Sequence, residues 1–142
     1  MRNYERPEQR SNIRVQIQTD LRLVMFDTIA AGVLSGAEQL KLRAAVICDL
    51  STSGMRIFTN DLIDAWFNAM LAGQIQVAAK FCLPGDAAAV NAAAKVMWVE
   101  PNKPGSDYAY VMGLRFVELS TADRDRITKF VLSHKLDRKD KK

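Results

Sequence analysis

A chain of 142 residues with 49% hydrophobic and 25% charged residues has the size and balance of one globular domain with a substantial core. Its formal charge of +4 is too modest to demand a polyanionic partner, and with one histidine and two separated cysteines it lacks the close Cys/His pairs of a zinc site. No apolar run reaches the roughly 18–20 residues that cross a bilayer, and the polar start MRNYERPEQRSNIR has no secretory-type apolar stretch, so a cytoplasmic protein without membrane insertion is expected.

In chain order, residues 1–14 are polar and arginine-rich, with Pro7 against a long helix, and are expected to form a flexible arm. From Val15 the pattern has period two: Val15, Ile17, Leu21, Leu23 and Met25 alternate with polar residues, which predicts a half-buried strand. Asp27 to Glu38, with Gly32 and Gly36, reads as a turn region. Leu40 to Leu50 alternates again, ends in Ser-Thr-Ser-Gly, and is followed by a short strand from Met55 to Thr59. Asn60 to Gly73 breaks the β pattern: Asn60 can cap, Ile63, Trp66, Phe67, Met70 and Leu71 form a helical stripe, and Gly73 can close it, predicting a short helix near 61–72.

Strands follow over Ile75–Leu83, Val90–Val99 and Tyr108–Phe116. Cys48 and Cys82 fall in strands and are expected as small buried hydrophobes. The even-numbered parity of Trp98 matches Val90, Ala92, Ala94 and Val96, predicting core packing, with base stacking the alternative. Tyr108 and Tyr110 share parity with Met112, Leu114 and Phe116 and are expected to face inward. Ser120 can cap a C-terminal helix over 121–136, and 137–142 is a charged tail. Six alternating strands and one terminal helix suggest a closed antiparallel barrel, although an OB-like barrel or a split sandwich would leave a similar trace.

No nucleotide-binding glycine loop is present, and neither Ser51 nor Ser53 has a plausible base, so catalysis is not expected. Two features converge instead: Arg10-x-x-x-Arg14 just before the first strand, and Asp49-Leu50-Ser51-Thr52-Ser53-Gly54 after the second. In this order, and with AAVICDLSTSGMRIFT, GQIQVAAKFCLPG, AAAKVMWVEP and YVMGLRFVELSTADRDRITKFV around them, they resemble the PilZ family over roughly residues 8–133. The resemblance implies a six-stranded β-barrel with a C-terminal helix that binds cyclic di-GMP on its outer surface. It maps the family's ligand residues onto Arg10, Arg14, Asp49, Ser51 and Gly54.

The residue types suit that ligand, a dianion with two guanines. An arginine fork can pair bidentately with phosphate or with guanine O6 and N7, and its plane can stack on a purine. Asp49 can accept the guanine N1 and N2 hydrogens, Ser51 can bond a phosphate or a base edge, and Gly54 leaves room for a tight turn and a close ligand. Arg6, Lys95, Trp98 and Arg115 are further candidates. The competing reading is a plain Asp49–Arg14 salt bridge fastening the arm to the barrel. The arm is expected to close over the ligand and signal to an unidentified protein partner, the alternative being an adaptor that does not bind the nucleotide. The inserted Trp66 segment is either a barrel plug or a docking surface for that partner, and no nucleic-acid polymer is expected.

Overall fold

The computed structural model describes residues 13–28 and 32–140. Six strands, β1 (Val15–Asp27), β2 (Arg43–Leu50), β3 (Gly54–Thr59), β4 (Ile75–Cys82), β5 (Ala89–Pro101) and β6 (Tyr110–Leu119), close into a barrel in the order β1-β2-β3-β6-β5-β4. Every neighbouring pair is antiparallel. Closure removes free sheet edges, and the inward positions Leu21, Leu23, Met25, Ile47, Ile57, Val77, Ala94 and Met112 fill the interior.

The first connection contains a one-turn helix, α1 (Gly36–Leu40), that the turn reading of Asp27 to Glu38 omits. Ser35 caps it, its side chain accepting from the Glu38 amide. The inserted segment folds as a 3₁₀ turn (Asp64–Trp66) running into α2 (Phe67–Leu71), and Gly73 ends it at φ +79°. Asn60 does not cap it. Its side chain accepts from the Ala109 amide at 2.7 Å and donates to the Asp107 carbonyl at 3.4 Å, pinning the β5–β6 loop.

Trp66 is only 7% exposed and plugs the barrel end where β2 begins. There Arg43, which the alternation of β2 turns inward, is 1% exposed with its guanidinium 5.2 Å from the Trp66 ring centroid. Glu38 pairs with it at 2.5 Å and Asp61 approaches at 3.4 Å, so α1 and the inserted segment are both tied to one buried cation. Burial corrects the docking expectation for Trp66 itself.

The C-terminal helix α3 (Thr121–Asp140) starts at a Ser120 cap, where the Asp123 amide donates to the Ser120 hydroxyl at 3.0 Å. It buries Ile127 and Val131 against the barrel. Arg126 staples its first turns to the β4–β5 hairpin through Asp86 at 2.9 Å and the carbonyls of Ala88 and Ala89. No helix among the described residues is long and apolar enough to cross a membrane.

Candidate functional site

The Asp49–Gly54 motif forms the tight turn between β2 and β3. The Ser51 amide donates to the Gly54 carbonyl at 2.8 Å, and the Ser51 hydroxyl accepts from the amides of Ser53 (3.3 Å) and Gly54 (3.1 Å). Ser51 is fully buried at 0% exposure, so its hydroxyl shapes the turn instead of facing outward as the ligand reading expects. Gly54 is explained similarly: a Cβ there would overlap the Leu114 carbonyl of β6. The missing side chain lets β3 lie close to β6, and the space foreseen for a ligand is taken by backbone. The turn is also tied to its surroundings, since the Phe116 amide donates to the Ser53 carbonyl at 2.8 Å and Arg124 of α3 donates to the Thr52 carbonyl at 3.2 Å.

Asp49 sits beside this turn on the outer face of β2, between two arginines. Arg14 Nη1 donates to its Oδ1 at 2.7 Å from just before β1. Arg56 Nε lies 2.9 Å from Oδ2, a charge contact without the alignment of a hydrogen bond. Two cations against one carboxylate leave net positive charge at the surface, and Arg14 remains 52% exposed. The salt bridge between Asp49 and Arg14 therefore exists. Because it leaves Arg14 half in water, it does not by itself decide between fastening and binding.

Backbone register extends this point into a row across the outside of the barrel. Gln16 faces Asp49, Asp49 faces Arg56, Arg56 faces Gly113, and Gly113 faces Trp98. A second row runs from Gly54 through Arg115 to Lys95. Arg115 is exposed, while Lys95 is half-buried, with its side-chain end close to Gly73. Trp98 corrects its parity assignment: the β5–β6 register shifts between Val96 and Trp98, turning the indole outward at 39% exposure. Arg6 and Arg10 lie outside the described residues.

Arg56 is the residue that sequence reasoning missed. Its signal was present, because a turn that sets Leu50 opposite Met55 must set Asp49 opposite Arg56. Tyr108 also departs from expectation. It leaves the strand and stacks on Phe58 outside the barrel, with ring centroids 6.0 Å apart. A cleft of about 280 Å³ beside them is lined by Ile17, Val46 and Cys48 among others. Burial pushes the Cys48 thiol above its ordinary range, with Arg56 pulling the other way, and its Sγ donates to the Arg56 carbonyl at 3.2 Å. Cys48 is half-buried and Cys82 exposed, which corrects the expectation that both are buried; both are free thiols. Among the described residues no cluster of metal-ligating side chains forms.

No curated protein sequence matches the chain. Solved structures do, at low identity. The Bacillus subtilis inhibitor of motility MotI/DgrA is 13% identical with a TM-score of 0.67, over 94% of this chain and 54% of that one. The PilZ domain of Escherichia coli YcgR, solved with c-di-GMP, is 12% identical with a TM-score of 0.58, over 92% and 94%. The K. pneumonia MrkH–c-di-GMP complex is 16% identical with a TM-score of 0.58, over 97% and 56%. This chain thus spans about half of the MotI/DgrA and MrkH chains, and at such identities these likenesses speak to the fold. The PilZ domain family model matches residues 2–133, nearly the whole chain, and the six-stranded barrel with its C-terminal helix agrees: the chain belongs to the PilZ domain family.

Proposed function

We propose that this chain is a non-catalytic receptor that binds cyclic di-GMP on the outer face of the barrel beside the β2–β3 turn. The observation that carries the reading is Asp49 flanked at 2.7 and 2.9 Å by Arg14 and Arg56, a charge-surplus cluster on the outer row that ends at the exposed Trp98. Family membership and c-di-GMP in the YcgR and MrkH structures support the choice of ligand. Arg14 is the mobile partner in this reading. It enters from the arm and is half exposed, so it can leave Asp49 for a phosphate while Asp49 accepts guanine N1 and N2 hydrogens. Arg10 and Arg6 add forks from the arm, Arg115 and Lys95 add positive potential, and Trp98 offers a stacking face. Ser51 and Gly54 act by holding the turn in shape. Rearrangement of the arm would then alter the surface that a partner protein reads.

Calorimetric titration with cyclic di-GMP tests this. Binding should be tighter than millimolar and should weaken at least about tenfold in Arg14→Ala and Asp49→Ala, since each loses a charge-assisted contact. Affinity no better than millimolar, or variants that bind like the wild type, would overturn it. The competing reading, an adaptor that does not bind the nucleotide, is favoured by one observation: Asp49 is already satisfied by two arginines without any ligand. The same titration separates the two.

A further inference from the structure

We infer that the ligand surface continues sideways from the turn to β5, with Arg56 as a third ligand-binding arginine and Gly113 as the slot that presents the Trp98 indole to a purine. The inference rests on the nucleotide reading and adds two residues to it.

Register places Arg56 on β3, Gly113 on β6 and Trp98 on β5 in one line. Adjacent strands are about 4.8 Å apart, so Arg56 and Trp98 stand about 10 Å apart with a residue lacking a side chain between them. Gly113 does not have a positive φ, so its backbone conformation does not require glycine. What requires it is space: a Cβ on Gly113 would fall inside the indole, against Nε1, Cε2 and Cδ1 of Trp98. The indole therefore reaches back over β6 toward β3, with part of its surface, 39%, still in water. A large apolar ring left half-wet on a barrel exterior forgoes burial that the fold elsewhere achieves, and it leaves a flat surface on which a base can stack.

Arg56 supplies what such a floor lacks. Its Nε lies 2.9 Å from Asp49 Oδ2 in a charge contact, the Cys48 thiol borders its guanidinium, and 40% of the side chain remains open to solvent. An arginine drawn to a neighbouring carboxylate while much of its side chain stays in water is a partly organised donor, because some of its side-chain entropy is already lost before ligand arrives. A purine nucleotide fits the pair: its face on Trp98, and its phosphate or its O6/N7 edge on the Arg56 fork.

The test is titration of the full chain with cyclic di-GMP, followed by calorimetry and by tryptophan fluorescence. Arg56→Ala should weaken binding about tenfold or more, with Arg56→Lys recovering only part, because lysine restores charge without the fork. Saturating ligand should quench the wild-type emission. The quench should vanish in Trp98→Phe, whose remaining Trp66 is buried at the far barrel end, and should shrink in Gly113→Ala. Gly113→Ala should add no further loss of affinity in a Trp98→Ala background, the sign that glycine acts through the indole. If Gly113→Ala fails to fold, the half-buried Arg56 and the exposed Trp98 carry the test. A wild type that does not bind overturns the nucleotide reading and this inference with it. A wild type that binds, with Arg56→Ala within about twofold of it and the quench surviving Trp98→Phe, overturns this inference alone.

Discussion

Replacing Trp66 with alanine tests whether the inserted segment is a plug. Trp66 is 7% exposed and belongs to the core, and truncating such a side chain typically costs about 3–5 kcal/mol through lost transfer energy and the cavity left behind. The cost should fall at the upper end, because Arg43 loses the ring that its guanidinium faces at 5.2 Å, a contact worth about 0.5–2 kcal/mol. For a chain of this size the expected drop in melting temperature is about 15–20 °C. Trp66→Phe keeps a ring in place and should lose less. Urea unfolding followed by circular dichroism gives the free energy, and calorimetry on the folded variant gives its affinity for cyclic di-GMP. That affinity should change by less than about twofold, since Arg43 and Asp49 lie at opposite ends of β2, about 20 Å apart at strand spacing. A loss of stability below about 1 kcal/mol would refute the plug.

Three further outcomes follow from the same geometry. Gly54→Ala forces a methyl onto the Leu114 carbonyl and should cost about 1–3 kcal/mol or more, whereas Gly36→Ala, at the open start of α1, should stay within about 1 kcal/mol of wild type; equal effects in urea melts would contradict the packing role. At pH about 8 a thiol-specific reagent should label exposed Cys82 first and Cys48 about tenfold or more slowly, because burial raises the Cys48 pKa; two equal rates by mass spectrometry would show that Cys48 is open. Asp86 is held below the usual carboxylate range, first by the Ala88 amide and then by Arg126. Its contribution is therefore present above the unfolded value of about 3.9 and is lost as pH falls through the lower folded value. The stability gap between wild type and Asp86→Asn should be flat near neutrality and narrow in acid, and a gap independent of pH would exclude this linkage.

Local pattern made much of this protein legible. Alternation marked six strands, Ser120 marked the start of α3, and Trp66 within a helical stripe marked the insertion. That Arg14 and the Asp49–Gly54 motif belong to one site came from the resemblance to the PilZ family, since Arg14 and Asp49 lie 35 residues apart and no local pattern joins them. Alternation remains a guide to inside and outside only until the first bulge. The shift between Val96 and Trp98 reverses parity without changing composition, and so turns the tryptophan from core to surface. Arg43 was hidden for a related reason: its inward place is tolerated only because Glu38, Asp61 and Trp66 arrive from other segments.

The sequence by itself thus determined the barrel, its helix and the family. The tertiary structure decided the roles within the site: Ser51 and Gly54 turned out to be buried shapers of the turn, and Arg56 and Gly113 emerged as neighbours of Asp49 and Trp98. Those relations run between strands far apart in the chain. Only strand register and barrel closure can bring them together, and periodicity within one strand does not encode either.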